Sequence, residues 1–332
     1  MRFTWVWVAC SLVLGCGSSD DDSTKSGTGG AGGAGPWRSD APLPEAIAHL
    51  SATEVGGKIW VAGGVAGGAV SQKVYSYDPG ANSWAAGPEL PLGRQLAAMG
   101  HVGETLYAVG GYSDVDASPT DSTFVLEPGA SAWKKVASLL LSRAGGFAAE
   151  LEAGKLIVVA GQGDTKLLGD SVVLDPGTNS WAVKAAIPNP RVRFAGFVLS
   201  GWLHAVGGRT ESGGVTNKVD VYEPKSDNWT GLADFPHPRD GLGAAVLGTQ
   251  AYVAGGDAAG TVDVWDGNAW SSGPPLPTPR VGAAVVAAQG RVYVIGGEAA
   301  AGGGASNVVE SYAPERAELS PRPRAPGSSS PA

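Results

Sequence analysis

Five arginines recur at one place in a pattern that repeats along the chain. Four of them stand 13 residues before the aromatic residue or histidine that opens a short apolar run, and the fifth stands 14 residues before Ile157. The five are Arg94, Arg143, Arg191, Arg239 and Arg280. A guanidinium group can bind carbonyl oxygens of the backbone or an anionic ligand, and its forked geometry suits both. Both uses stay open at this stage, and the structural one is the first choice.

Acidic and histidine side chains are the other candidates for chemistry. Asp114, Asp116 and Asp121 share one loop and could hold calcium, but their spacing matches no known calcium loop, so solvated acids are the simpler interpretation. The histidines are likewise without metal-type spacing. They are His49, His101, His204 and His237. We therefore predict no metal and no cofactor.

These residues sit in a unit that recurs through most of the chain. Successive tryptophans of the unit are 47, 49, 48, 48 and 41 residues apart. They are Trp37, Trp84, Trp133, Trp181, Trp229 and Trp270. Between them stand the double glycines Gly63-Gly64, Gly110-Gly111, Gly207-Gly208, Gly255-Gly256 and Gly296-Gly297, with Ala160-Gly161 as a degenerate copy. A fixed period of this length indicates a repeat architecture with six units.

The double glycine, the Tyr-Asp-Pro or Leu-Asp-Pro turn and the tryptophan six residues after the acid resemble the kelch repeat. The resemblance covers residues 37–314 and implies an all-β fold, a six-bladed propeller with four antiparallel strands in each blade. Residues that recur in every blade are more easily explained as scaffold than as a site. The double glycines and the tryptophans are therefore assigned structural roles.

Each unit offers four short strand candidates separated by glycine-containing turns. Small residues dominate the first candidate, as expected for strands that crowd around a central channel. The last unit ends at 312–314 without a tryptophan, whereas Trp37 has no unit before it. We therefore expect the strand around Trp37 to complete the sixth blade and close the ring.

Strand parity places functional candidates on one face. In an up-and-down blade the starts of the innermost strands and the loops after the double glycines share one end, and the acid-Pro turns lie at the other. Uniform turns suit folding, whereas diverse loops suit recognition. The predicted ligand face therefore comprises Arg94, Arg143, Arg191, Arg193, Arg209, Arg239, Arg280, Asp114, Asp116 and Asp121.

The termini predict export and anchoring. Residues 1–15 resemble a signal peptide, because an apolar core too short for a permanent span follows Arg2. Val13-Leu14-Gly15-Cys16 resembles a lipobox, which would make Cys16 the lipidated residue. Residues 16–36 would form a flexible tether and residues 315–332 a disordered tail.

The chain has two cysteines, so loss of Cys10 with the signal leaves no internal disulfide. Because Gly17 rather than an acid follows Cys16, we expect the outer membrane of a bacterial envelope.

Function classes differ in how well the residues fit them. Copper oxidases resembling galactose oxidase need a cysteine that residues 37–314 lack, and a net charge of −8 argues against nucleic acid. The first choice is a monomeric, non-enzymatic binding or scaffold module for a protein or glycan ligand. The alternative is a periplasmic sugar-modifying enzyme resembling sialic-acid mutarotase, in which Arg193, Arg209, Asp240 and Glu298 would handle an anionic sugar.

Overall fold

The fold is known from a computed structural model that describes residues 37–115, 118–151, 154–299 and 303–314. These residues form six antiparallel sheets of four strands each, and the innermost strands of neighbouring sheets contact one another around a channel. The protein is a six-bladed propeller, as predicted. The described residues include no helix long and apolar enough to cross a membrane.

The strands of each blade are given in order from the channel outwards. They are Ser51–Val55, Lys58–Ala62, Val74–Asp78 and Ser83–Ala86 in blade 1; Ala98–Val102, Thr105–Val109, Thr123–Leu126 and Lys134–Val136 in blade 2; Phe147–Glu150, Leu156–Val159, Ser171–Asp175 and Ser180–Lys184 in blade 3; Ala195–Leu199, Trp202–Val206, Val219–Glu223 and Asn228–Gly231 in blade 4; Gly243–Leu247, Gln250–Ala254, Val262–Trp265 and Trp270–Ser272 in blade 5; and Ala284–Ala288, Arg291–Ile295, Val309–Tyr312 and Trp37–Ser39 in blade 6.

The ring closes through its first and last strands, which confirms the predicted closure. Trp37–Ser39 pairs antiparallel with Val309–Tyr312, with Trp37 opposite Tyr312. The two aromatic rings are 5.5 Å apart, and the Trp37 indole N–H donates a 2.9 Å hydrogen bond to the carbonyl of Pro274 in blade 5. The added strand covers the edge that Val309–Tyr312 would otherwise expose.

Apolar side chains fill the seams between blades. Tyr107 and Val109 of blade 2, for example, pack in one cluster with Leu156 and Val158 of blade 3. Burying a side chain of this size contributes about 1.5–3 kcal/mol. Tryptophans add hydrogen bonds across the seams: the indole N–H groups of Trp84, Trp133 and Trp181 each donate to a carbonyl in the preceding blade at 2.9 Å.

The double glycines allow the second strand to approach the start of the next blade. Gly63 has φ of 65°, and a Cβ built on it would lie 2.2 Å from the carbonyl oxygen of Arg94. Gly64 donates its N–H to that same oxygen at 2.8 Å. A side chain at Gly63 would therefore break a contact between blades 1 and 2 as well as strain the backbone.

Candidate functional site

Short two-stranded ribbons join three of the five arginines to the loop that follows a double glycine. Arg191–Val192 pairs with Arg209–Thr210, and Arg280–Val281 pairs with Glu298–Ala299. Blade 2 repeats the arrangement with Arg94–Gln95 and Tyr112–Ser113. These ribbons place the arginines and the irregular loops at one end of the propeller, called the arginine face below. The acid-Pro turns lie at the opposite end, as strand parity requires.

The five recurrent arginines on this face are buried, which corrects their inclusion in the predicted ligand face and agrees with the structural use that was the first choice. Arg94, Arg143, Arg191, Arg239 and Arg280 are each at most 3% exposed. Each guanidinium binds the carbonyl of the first residue of its double glycine, or of Ala160 in blade 3. This carbonyl lies in the turn after the second strand, and the arginine provides it with a hydrogen-bond donor. Their role is to hold the loop to the blade.

Acids at the start of the third strands complete these networks. Asp220, Asp263 and Glu310 are almost fully buried, and they pair with Arg191, Arg239 and Arg280, respectively; Asp170 pairs with Arg143. Burial lowers the pKa of Arg191 to about 10, so this group stays charged at neutral pH. Blade 1 has neither the arginine nor the acid: Ile47 occupies the arginine position, and Tyr75 occupies the position of the acid in the third strand. The repeated acid beside a valine in the third strands was the sequence signal that could have revealed these pairs.

Two residues after the arginine position, the backbones of the six blades form a closed ring of hydrogen bonds. Each N–H donates to the carbonyl of the preceding blade at 2.7–3.1 Å, and the last bond, from His49 to Gly282, closes the circle. This channel ring comprises His49, Leu96, Gly145, Arg193, Gly241 and Gly282. All six have φ between 53° and 66°. The ring is a constriction of backbone at the arginine face.

Only glycine adopts this backbone conformation without strain, yet His49, Leu96 and Arg193 hold it. Two of these side chains lie over ring glycines. A Cβ on Gly282 would be 2.5 Å from His49 Nδ1, and a Cβ on Gly241 would be 2.8 Å from a terminal nitrogen of Arg193. The glycines thus make room for the histidine and the arginine, so that the ring carries unlike side chains above a symmetric backbone.

Around the ring, five side chains form what we call the mouth cluster: His49, Arg193, Arg209, Asp240 and Glu298. Arg209 binds Asp240 through two hydrogen bonds of 3.0 and 3.1 Å, and Arg193 approaches the same carboxylate at 3.5 Å. His49 Nε2 is 3.3 Å from Glu298. Below the cluster is a cavity of about 160 Å³ lined by the innermost strands, with Phe147 at its base against Gly196.

His49 is neutral at ordinary pH. Burial lowers its pKa below 6.5; the nearby Glu298 opposes that change and Arg193 adds to it. Because Nε2 faces a carboxylate, Nε2 carries the proton and Nδ1 holds a lone pair. Nδ1 is buried and has no hydrogen-bond partner among the described residues. The cluster therefore offers guanidinium donors and two carboxylates around a single opening, whereas the buried Nδ1 of His49 lies against Gly282 and out of reach of a ligand.

The other predicted site residues lie outside this cluster. Asp114 and Asp121 are exposed in the loop after Gly110-Gly111, and Asp116 lies outside the described residues, as does Cys16. Sequence reasoning placed Arg193, Arg209, Asp240 and Glu298 near the mouth but missed His49. Blade 1 has Ile47 at the arginine position, so the arginine repeat does not point to His49 two residues later. Within the described ranges, no group of three His, Cys, Asp or Glu could hold a metal ion.

Comparisons with known proteins agree with this architecture. The family model described as the KLHDC2/KLHL20/DRC7 Kelch-repeats domain matches residues 93–297, and the Kelch motif matches residues 47–91 and 279–317. The chain belongs to the kelch-repeat family. Kelch repeat protein M-T8 of Myxoma virus (strain Lausanne) is 26% identical over 214 residues, which are 64% of this chain and 41% of that protein.

A second relative and a solved structure extend the comparison. Kelch-like protein 35 of Mus musculus is 31% identical over 170 residues, 50% of this chain and 28% of that protein. The chain spans less than half the length of these two relatives. The structure of YjhT superposes with a TM-score of 0.71 at 17% identity, covering 81% of this chain and 95% of that one. At this identity the likeness concerns the fold alone.

Proposed function

We propose that this kelch propeller is a membrane-anchored binding or scaffold module at a bacterial envelope, and that its ligand, a protein or a glycan, binds on the arginine face. The mouth cluster carries the proposal. Scaffold residues repeat from blade to blade, whereas His49, Arg193, Arg209, Asp240 and Glu298 do not, and they share one opening. Strained backbone under His49 and Arg193 is retained where the side chains serve a purpose.

The chemistry of the cluster favours a polar ligand that carries an anionic group. Arg193 is 29% exposed on its side chain, and because its Nε is buried beside Asp240, the exposed part lies elsewhere on the side chain, towards the terminal nitrogens that a ligand would meet. Guanidinium groups bind carboxylates and phosphates through paired hydrogen bonds. Asp240 and Glu298 would accept from hydroxyl or amide donors of the same ligand.

A glycan array and a pull-down from envelope extracts, both with the purified chain, test this proposal. We expect at least one acidic glycan or envelope protein to be retained by the wild-type chain and lost with Arg193→Ala. Loss with Lys134→Ala, which lies far from the channel on an outer strand, would count against the arginine face. Retention of nothing by either method would refute the binding function.

Anchoring is tested separately. Cys16→Ala should move the protein from the membrane fraction to the soluble fraction, because stable attachment requires the acyl chains that lipoprotein processing adds. A variant that still sediments with membranes would contradict the lipidation. Cys10→Ala is the matched control, since that residue would leave with the signal.

One observation favours the alternative, a sugar-modifying enzyme resembling sialic-acid mutarotase. The Glu298 carboxylate is 34% exposed on its side chain, and it stands in the same cluster as Arg193, so it has the character of a general base next to an anion site. One-dimensional NMR of an anomerically pure acidic sugar would reveal faster anomer exchange with the wild-type chain and not with Glu298→Gln. Equal exchange with and without the protein would exclude this activity.

A further inference from the structure

The seam between blades 4 and 5 differs from the other seams, and the difference begins in the sequence. In blades 1 to 4 the outer tryptophan follows the acid of the turn by six residues, but Trp270 follows Asp266 by only four. Three of these four longer turns include a residue that reaches back to the preceding blade; in blade 2 the position is Ser131, and only the Trp133 indole bonds across the seam, to the carbonyl of Pro88. Asn82, Asn179 and Asp227 accept the backbone N–H groups of Ala41, Ala137 and Ala185 at 2.8–2.9 Å.

The tryptophan of the same turn completes this clasp. The indole N–H groups of Trp84, Trp181 and Trp229 donate to the carbonyls of those same alanines at 2.9–3.0 Å. The shortened turn of blade 5 has no residue at the asparagine position. Trp270 packs edge-on against Phe235 instead, and its indole nitrogen is buried without a hydrogen-bond partner in the described part of the chain.

At the seam between blades 4 and 5 there is a cavity of about 430 Å³. Ala233, the counterpart of the clasped alanines, lines it together with Trp202, Trp265 and Leu232. This volume falls in the range of about 300–1,000 Å³ that small-molecule sites occupy. The cavity opens at the face of the acid turns, away from the mouth cluster.

An exposed tryptophan occupies the rim of this cavity, at a position that is polar in every other blade. The equivalent residues at the start of the second strands are Lys58, Thr105, Lys155, Gln250 and Arg291. Trp202 is 43% exposed and lines the cavity, so a large part of its side chain is available to a ligand. Leu232 beside it is 38% exposed.

The cavity also lacks charge. The corresponding grooves at the seams of blades 1–2 and 3–4 are each lined by three charged side chains, among them Lys58 and Lys155. The blade 4–5 cavity is lined by no Asp, Glu, Lys or Arg among the described residues. Its polar groups are neutral: the Ser200 hydroxyl, the Asn268 amide and the His204 imidazole. Nδ1 of His204 donates to the carbonyl of Trp202, so Nε2 of the neutral ring is an acceptor.

We infer that this cavity is a second binding site, for a neutral saccharide. A pyranose ring presents C–H groups on one face, which suits an exposed indole, and hydroxyl groups at its edge, which suit a few neutral donors and acceptors. Charged sugars and acidic peptides would find no counter-charge here. The site is independent of the ligand on the arginine face.

The test uses the purified full chain with three neutral probes, cellohexaose, maltohexaose and chitohexaose, measured by saturation-transfer NMR and calorimetry. We expect one of them to bind, and Trp202→Ala to weaken it about tenfold or more, because an exposed aromatic platform supplies much of such an affinity. The matched control is Lys155→Ala, the same position one blade earlier, which should leave affinity unchanged. Arg193→Ala should also have no effect.

A loop graft keeps the test independent of the tryptophan. Replacing residues 267–269 by Pro-Gly-Thr-Asn-Ser, the residues at 176–180, restores the long turn, rebuilds the clasp on Ala233 and removes Asn268 from the cavity wall. We expect loss of saccharide binding with an unchanged or higher melting temperature. Binding of none of the three probes, or equal binding by Trp202→Ala, would overturn the proposal. So would a dimer in analytical ultracentrifugation that Trp202→Ala dissociates, since the cavity would then hold a second copy of the chain.

Discussion

Arg280 illustrates how a charged side chain can be part of a core. Its guanidinium is fully buried and binds the carbonyls of Gly296 and Val308 at 3.0 and 2.6 Å, and it pairs with the buried Glu310 at 2.8 Å. Removing one member of such a pair leaves an uncompensated charge in a low-dielectric environment. The free energy of unfolding lost when one partner is removed therefore exceeds the net stabilisation that the pair provides.

We predict that Arg280→Met lowers the free energy of unfolding by about 3–5 kcal/mol in urea denaturation. Adding Glu310→Gln should recover part of the loss, because the stranded carboxylate is then neutral. Lys134→Ala is the control: its pair with Glu127 is exposed, so about 0.5 kcal/mol or less should be lost. A double variant no more stable than the single one would contradict the role of Glu310.

The buried His204 should make the stability of the protein depend on pH. Its ring stacks on Phe197 with centroids 4.6 Å apart, and burial lowers its pKa below 6.5 although the bond to the Trp202 carbonyl opposes this. The unfolded chain therefore takes up the proton more readily, and stability falls as the pH drops below 6.5 towards the folded pKa. His204→Phe keeps an aromatic ring to stack on Phe197 and removes the group whose protonation lowers the stability.

Unfolding free energies measured in urea from above to below pH 6.5 should decline less steeply for His204→Phe than for the wild type. Some decline remains, since the pKa of His49 is also lowered. Parallel curves for the two proteins would show that His204 does not titrate between the folded and unfolded states.

At this scale the sequence predicts where repeating residues lie, but neither their burial nor the residues that do not repeat. The arginine positions were evident from a spacing of 13 or 14 residues, but spacing gives location and not burial, so all five were placed on the ligand face although their guanidinium groups are enclosed. His49 had no repeat partner to mark it. The channel ring joins residues about one blade apart through backbone atoms, which side-chain patterns do not encode.

The strand that closes the ring is the element on which the propeller depends most. Trp37–Ser39 brings backbone hydrogen bonds to Val309–Tyr312, ring contact with Tyr312 and an indole bond into blade 5. The sequence predicted this element because one tryptophan was missing at the end and one was in excess at the start. Closure by the first strand ties the beginning of the described chain to its end.

We predict that deleting residues up to and including Trp37 lowers the melting temperature sharply, whereas deleting residues 315–332 changes it little. The first deletion exposes a strand edge and the apolar face of Tyr312, and the second removes chain that the sequence predicts to be polar coil. Trp37→Ala, which keeps the backbone, should cost about 3–5 kcal/mol, the usual cost of truncating a buried tryptophan. Equal melting temperatures for the two deletions would refute this account of closure.

At the scale of the whole molecule, the two ends of the channel differ in kind. The acid-Pro turns repeat nearly the same residues and form local hydrogen bonds, such as those from Gly80 and Gly177 to Asp78 and Asp175 at 2.9 Å. The arginine face holds loops of different length and chemistry over the strained channel ring. A rigid frame with variable loops is the usual arrangement for recognition.

We predict that the anionic ligand of the proposed function binds at the arginine face and not at the acid-Pro turns. Arg193→Ala combined with Arg209→Ala should abolish its binding in calorimetry, because both exposed guanidinium groups of the mouth cluster are removed. Replacing Asp114 and Asp121 by Asn should leave binding of an anion undiminished, because both lie outside the mouth cluster, and should change the melting temperature little, since exposed loop substitutions cost about 0.5 kcal/mol or less. Asp78→Asn and Asp175→Asn, at the opposite end, are the matched controls. If these two changes removed binding and the mouth variants did not, the ligand would lie on the face of the acid-Pro turns, and the strained backbone under His49 and Arg193 would serve folding rather than recognition.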